Sequence, residues 1–182
     1  MAPKIRPVIQ LEFNELSPAL MDQFIAEGKL PNFARLKTTS QVFVTDAEET
    51  APNLEPWIQW VTVHTGLSFK EHGVFNLGDG HKATAPRVFE HLNNAGHKQW
   101  ICGSMNASVA RPLNGFFLPD PWSVGVEPYP KDEFQGFFDY VRLHVQEHTR
   151  NTSPVSTIAH LRFLAFLCRH GLSIRSIRAI VQ

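Results

Sequence analysis

Residues 5–13 form a predominantly apolar segment near the start of the chain, and this segment constrains the fold more than any other. A strand with one solvated face alternates apolar and polar residues, whereas a strand buried on both faces does not. Glu12 interrupts the apolar run close to its carboxyl end. We therefore predict that residues 5–13 are the buried first strand of a parallel sheet.

Helix and strand signals alternate after this segment. Ser17 and Pro18 suit the N-cap and the first position of a helix, and Gly28 suits its end. Residues 41–45 and 98–102 predict two further strands, and helical patterns lie between them. This order predicts an α/β fold in which helices flank a mostly parallel sheet.

Composition divides the chain into three parts. Residues 1–105 carry the alternating signals, residues 106–131 are rich in proline and glycine, and residues 132–182 contain three helical patterns. We predict an irregular connection in the middle and a helical segment at the end, as part of a cap or of the same domain. The last helices hold more apolar residues than one narrow face can bury, so we also predict self-association through them.

Charge and cysteine content exclude several classes of function. Seventeen basic and seventeen acidic residues cancel, which argues against a nucleic-acid partner. No apolar run is long enough to cross a membrane, and the first residues lack the apolar core of a signal peptide. Cys102 and Cys168 are far apart, as expected for free thiols in a reducing compartment. The sequence thus predicts a cytoplasmic protein with no membrane or nucleic-acid partner.

Two motifs carry a family resemblance. Residues 60–73 read W-x4-T-G-x5-H-G, and residues 28–36 read G-x-L-P-N-x-x-x-L. Together with the N-terminal segment, they resemble the alkaline-phosphatase-like superfamily, in particular its type I phosphodiesterase/nucleotide pyrophosphatase branch. The resemblance implies an alkaline-phosphatase-like α/β core and two divalent metal ions, with zinc or manganese expected. It also implies a small-molecule substrate that is a phosphate or sulfate ester.

Glu12 and Asn14 are the candidate metal ligands. Asn14 stands where the resembled family usually has its first metal-binding aspartate, and its neutral carbonyl oxygen is a weaker ligand than a carboxylate. Glu12 lies two residues earlier, on the same face of the predicted strand, and could supply the missing charge. The alternative for Asn14 is a local backbone hydrogen bond in a strand-to-helix turn.

Thr50 and Glu55 are the candidate catalytic residues. The resemblance places a Thr or Ser nucleophile about nine residues before Thr65, but that count reaches Pro56, next to Glu55, and neither residue has a hydroxyl group. Thr50 is the nearest upstream hydroxyl, in a T-A-P-N sequence, and it would need an insertion before the helix. The alternatives are a solvated loop threonine and, for Glu55, a charge that caps a helix N-terminus.

His72, Asp79 and His81 are the candidate substrate-binding residues. His72 matches the histidine of the resembled motif, which mostly orders a turn. Asp79 and His81 belong to a G-D-G-H sequence that could contact metal or substrate, and a plain turn is the alternative.

The later metal ligands of the resembled family lie in Asp- and His-containing motifs, yet no aspartate follows Asp139. We therefore expect the N-terminal portion of a metal-dependent phosphoric or sulfuric ester hydrolase or transferase, inactive as this chain alone. A non-catalytic binding or scaffold module, which kept the fold and lost the nucleophile and metal site, is the alternative.

Overall fold

The computed structural model describes residues 7–146 and 155–181 and shows an α/β protein. The chain divides into two compact units, Met1–Pro56 and Trp57–Gln182. Among the described residues, the first unit contains helices and the second adds a parallel sheet. No helix in this part of the chain is both long and apolar enough to cross a bilayer.

Helices α1 (Pro18–Ala26) and α2 (Pro31–Thr39) pack together in the first unit. Ser17 is the N-cap of α1, as predicted, and its Oγ accepts a hydrogen bond from a backbone N–H of the first turn at 3.4 Å. Lys37 Nζ lies 2.5 Å from Asp22 Oδ1, so an exposed ion pair joins the two helices.

Two strands predicted for the first unit are not formed. Residues 7–13 and 41–45 belong to no sheet in the described part of the chain, and residues 5 and 6 lie outside that part. Val8 and Val44 are 90% and 97% exposed. A buried parallel strand needs hydrogen-bonded neighbours and cover on both faces, whereas composition reports only a preference for such surroundings. The strand prediction is wrong here because no neighbouring strand accompanies these segments among the described residues.

The sheet of the second unit consists of β1 (Gln99–Cys102) and β2 (Gly115–Leu118), which pair in parallel. β1 confirms the strand predicted at residues 98–102. β2 lies within the proline- and glycine-rich segment that predicted only an irregular connection. Gly115 begins β2 with a φ of 137°, and a Cβ there would lie 1.8 Å from Gln99 O. The glycine that indicated a loop is therefore required by the close approach of the two strands.

Helices make up much of the rest of the second unit. The second unit contains α3 (Pro56–Thr65, which begins at the unit boundary), α4 (Phe69–His72), a 3₁₀ turn (Asp79–Lys82), α5 (Val88–Asn94), α6 (Lys131–Gln146), α7 (Thr157–Arg169) and α8 (Ile174–Val181). The main buried apolar cluster joins α5, both strands and the segment between them; it comprises Phe89, Ile101, Ala107, Leu113 and Phe117. A second cluster comprises Val61, Val74 and Ala83.

The helical segment predicted at the end of the chain is confirmed for its described residues. Phe137 on α6 packs against Phe163 and Phe166 on α7, with ring centroids 5.6 and 5.0 Å apart. Leu161 on α7 and Ile174 on α8 nevertheless remain 61% and 71% exposed. The helices therefore bury an aromatic seam and expose aliphatic side chains, as their composition predicted.

Candidate functional site

The carboxyl ends of β1 and β2 lie at one edge of the sheet, because the strands are parallel and Cys102 pairs with Leu118. Residues 103–107 follow β1, and residues 119–124 follow β2. The glycine-rich residues 76–82 lie against both segments. Ligands of parallel α/β sheets bind at this edge, so the three loops define the candidate site.

Two glycines let the glycine-rich loop approach the sheet edge. A Cβ on Gly80 would lie 1.7 Å from Asn106 O, a distance that no side chain tolerates. Gly78 has a φ of 88°, and a Cβ there would lie 3.0 Å from Trp122 O. Backbone thus packs directly on backbone, and larger residues at these positions would push the loop away.

Asn106 holds the glycine-rich loop in place. Its side-chain Oδ1 accepts hydrogen bonds from the backbone N–H groups of Gly78 and Gly80, both at 2.9 Å. Its Nδ2 donates to Trp57 O at 2.9 Å and to Asn76 O at 3.2 Å. Asn106 is buried and has a φ of 56°, a left-handed conformation that asparagine adopts more readily than most residues. One amide therefore satisfies four backbone groups, three in the glycine-rich loop and one at the start of α3.

A buried histidine and serine connect α3 to the end of β1. Ser104 Oγ lies 3.0 Å from His64 Nε2, and both residues are almost fully buried. The His64 ring also packs against Phe89, with centroids 5.0 Å apart. This pair joins α3 to the segment that follows β1.

Asp120 lies two residues after β2 and is also buried. Burial raises the pKa of its carboxyl group, while hydrogen bonds from the backbone N–H groups of Trp122 and Asn106 oppose that rise. Within the described residues, Asp120 Oδ2 and the nearby Ser123 Oγ are buried without a hydrogen-bond partner. The carboxyl end of β2 therefore concentrates polar atoms whose burial has a free-energy cost.

Arg87 also bonds to the glycine-rich loop. Its guanidinium Nη2 donates a hydrogen bond to Gly80 O, and the residue is 3% exposed. Burial lowers the pKa of this guanidinium, and the charge of Glu90 opposes that effect. Arginine remains charged even so, and Arg87 therefore places a buried positive charge beneath the loop.

His81 lines a polar surface hollow of about 320 Å³ beside the sheet edge. Its Nδ1 donates a hydrogen bond to Gly78 O at 3.1 Å, which orients the ring. The other walls come from β2 and from the segments that follow the two strands, and the lining comprises Ser108, Val109, Arg111, Phe117, Gly125, Val126 and Glu127. The hollow thus gathers a histidine, a hydroxyl group and a guanidinium from separate parts of the sequence.

His72 has both ring nitrogens in internal hydrogen bonds. Nδ1 accepts from the backbone N–H of Val74 at 3.1 Å, and Nε2 lies 3.1 Å from Thr62 Oγ1. An accepting Nδ1 places the ring proton on Nε2, which donates to the threonine. His72 therefore connects α3 to the turn at Gly73.

Asp79 begins the 3₁₀ turn with its carboxylate already engaged. Oδ2 accepts hydrogen bonds from Lys82 Nζ at 2.7 Å and from Asn76 Nδ2 at 3.2 Å. These two hydrogen bonds lower the pKa of Asp79, and the bond from Lys82 has the larger effect. The carboxylate stabilises the loop conformation that brings His81 to the hollow.

Glu12 and Asn14 lie together in the first unit, where both line an open hollow of about 500 Å³. Glu12 is half-buried, and its Oε1 accepts a hydrogen bond from Gln10 Nε2 at 2.8 Å. Asn14 is exposed and begins the turn before α1. Two oxygen-bearing side chains are thus close enough to share one concavity, although the strand that was expected to align them is not formed.

Thr50 and Glu55 flank a turn in the first unit. The carbonyl oxygen of Thr50 accepts a hydrogen bond from Asn53 N at 2.8 Å, and its side chain is exposed. Glu55 is also exposed and directly precedes Pro56, the first residue of α3. Its position fits the predicted charge at a helix N-terminus.

Sequence analysis missed the buried residues that position the site. Asn106, Asp120 and Arg87 were not among its candidates, although a signal was available for two of them. Asp120 lies in the motif P-D-P-W, and Asn106 follows a strand at the distance where a loop turns back over a sheet. Nothing in the local sequence marks Arg87, because its partner is a backbone carbonyl.

Among the described residues, no three His, Cys, Asp or Glu side chains converge as a group that could hold a metal ion. No protein-family model matches this chain, and neither a curated protein nor a solved structure matches it.

Proposed function

We propose that this chain forms the N-terminal portion of a metal-dependent hydrolase or transferase that acts on phosphoric or sulfuric esters, with an alkaline-phosphatase-like core. One observation supports the proposal most. Polar side chains follow both parallel strands at their carboxyl ends, under a glycine-rich loop held by Asn106. Such an edge is where α/β enzymes bind anionic ligands.

Glu12 and Asn14 are the proposed metal ligands. Both line one hollow and both offer oxygen atoms, which suits part of the coordination sphere of manganese or zinc. A bound divalent cation would polarise the ester and lower the barrier to attack at phosphorus or sulfur. Thr50 supplies the candidate attacking hydroxyl group and Glu55 a carboxylate that could accept its proton.

Metal titration tests this proposal. The purified chain should bind Mn²⁺ or Zn²⁺ by calorimetry, and Glu12→Ala should weaken that binding at least tenfold, because it removes the only proposed ligand with a negative charge. Glu27→Ala is the matched control, since Glu27 is an exposed carboxylate that contacts Lys29 and Gln23. Equal metal affinity in the wild-type chain and Glu12→Ala would contradict the proposed ligand set.

Activity assays test the second part. We expect negligible turnover of aryl phosphate and aryl sulfate esters by this chain alone, with or without added metal. Metal-dependent turnover that Glu12→Ala abolishes would show that the chain is active by itself and would overturn the expectation of inactivity.

A non-catalytic binding or scaffold module is the second candidate. Two observations favour it: the Asp79 carboxylate is engaged by Lys82 and Asn76, and both ring nitrogens of His72 form internal hydrogen bonds. Residues that hold a loop in shape serve a binding surface as well as an active site. A chain that binds no metal yet binds an ester or anion would favour this candidate.

A further inference from the structure

We propose that the hollow beside His81 is a site for a tetrahedral oxyanion, the phosphate or sulfate group of a small molecule, with Arg111 and Ser108 as its main contacts. The inference rests on the proposed function for its choice of ligand class. It concerns a site in the second unit that does not include Glu12 or Asn14.

Arg111 is held in a fixed orientation at the wall of this hollow. Its Nη2 donates to the backbone carbonyl oxygens of Glu127 at 2.6 Å and Pro128 at 3.2 Å. The guanidinium carbon lies 5.2 Å from the ring centroid of Tyr129, within the range of a cation–π contact. These bonds use one nitrogen, and a guanidinium has further N–H donors at Nε and Nη1. Each two-donor edge of a guanidinium includes Nη2, so the remaining Nη1 and Nε groups are available as single charge-assisted donors to phosphate or sulfate oxygens.

Ser108 and His81 complete the polar lining. Ser108 is half-buried and offers a hydroxyl donor within the same hollow. His81 donates from Nδ1 to Gly78 O, so its Nε2 edge is not used by that bond. Its ring lies beside Gly125, where a Cβ would come 3.7 Å from Nε2. A volume of about 320 Å³ accommodates an oxyanion and part of the group esterified to it.

Glu127 also lines the hollow, and its charge must be compensated for an anion to bind there. Its Oε1 lies 2.5 Å from Lys131 Nζ, and this contact is the main reason why the pKa of Glu127 is lowered. The positive charge of Lys131 offsets the negative charge of the Glu127 carboxylate, so the net charge of the lining is the positive charge of Arg111. Val109, Phe117 and Val126 form the apolar part of the walls.

Phosphate titration in the presence of EDTA tests the site without any metal. Inorganic phosphate, inorganic sulfate and phenyl phosphate are titrated into the ¹⁵N-labelled chain at constant ionic strength. We expect saturable shifts of the Arg111 Nε–H signal and of backbone signals in residues 76–82, 108–111 and 125–127. Arg111→Gln should weaken phosphate binding at least tenfold, because it removes the positive charge and the charge-assisted donors. Ser108→Ala should weaken it about threefold, the effect of one neutral hydrogen bond.

Matched controls separate binding from folding and from net charge. Arg35→Gln makes the same change in charge at an exposed position of α2, in the other unit, and should leave phosphate binding unchanged. Arg111→Lys keeps the charge but not the Nη1 and Nε donors, so it should fold and bind with intermediate affinity even where Arg111→Gln does not fold. Unchanged affinity in both Arg111 variants, or shifts that map away from the hollow, would overturn the site.

The outcome is separable from that of the proposed function. Phosphate binding in EDTA together with no effect of Glu12→Ala on metal binding would retain the oxyanion site and remove the hydrolase proposal. Metal binding through Glu12 without phosphate shifts at Arg111 would do the reverse.

Discussion

Replacing Asn106 by alanine should destabilise the second unit by about 3–7 kcal/mol. Four hydrogen bonds are lost, each with a net value of roughly 0.5–1.5 kcal/mol, and four backbone groups lose their partner. Alanine in a left-handed conformation adds about 1 kcal/mol. The sum is a large fraction of the roughly 5–15 kcal/mol by which a typical domain is stable.

Two further substitutions divide this loss into its parts. Asn106→Gly loses the same hydrogen bonds but tolerates the positive φ, so it should be about 1 kcal/mol more stable than Asn106→Ala. Asn106→Asp keeps the oxygen that accepts from Gly78 and Gly80. It places a second oxygen opposite the carbonyls of Trp57 and Asn76, so it should also be strongly destabilising.

Urea unfolding followed by tryptophan fluorescence measures these differences as shifts in the midpoint at constant slope. Asn94→Ala is the control, because Asn94 is an exposed residue at the end of α5 and should change stability by less than about 0.5 kcal/mol. A loss below about 1 kcal/mol for Asn106→Ala would refute the argument that this amide holds three segments together.

Four other outcomes are expected. Gly115→Ala should lower the free energy of unfolding in urea by about 2–4 kcal/mol, because the added Cβ collides with the backbone of Gln99. Gly136→Ala, where a Cβ meets nothing within 4 Å, should instead stabilise α6 by about 1 kcal/mol. Asp120→Asn should gain stability relative to the wild type as the pH rises from 4 to 8. Burial raises the pKa of Asp120 in the folded state, so ionisation of this carboxyl group destabilises the wild type as the pH increases. A stability difference between the two proteins that stays constant with pH would contradict this. The pKa of His170 is raised in the folded state, chiefly by its hydrogen bond to the backbone of Phe166 and then by the Glu133 carboxylate. The contribution of His170 to stability is therefore complete below about pH 6.5 and is lost as the pH rises through the folded pKa. The thermal midpoints of His170→Gln and the wild type should converge at high pH. Leu161→Glu should reduce self-association in light scattering, and unchanged association would place the contact elsewhere.

The helices were predictable because their signals are local. Ser17 and Ser156 accept hydrogen bonds from their own first turns, and Gly28 and Gly96 have the positive φ of helix ends. These features depend on residues three or four positions apart, so the sequence contains them directly.

The sheet and the site were less predictable because their partners are distant in sequence. β2 depends on the close approach of Gly115 to Gln99, and the loop geometry depends on Asn106 bonding to Trp57. Composition at residues 41–45 suggested a strand, yet a strand exists only where another strand pairs with it. His81 was identified from its glycine-rich surroundings, whereas Arg111 required the fold to bring it to the same hollow.

The amide of Asn106 also sets the order in which two parts of the chain become protected from proteolysis. Residues 76–82 can dock only after the segment beyond β1 is in place, because both of their anchoring N–H groups bond to Asn106. Their resistance to a protease that cleaves after lysine, at the exposed Lys82, therefore reports whether the end of β1 is ordered. Cleavage there would be an early sign that this edge of the sheet has opened, before the helices unfold.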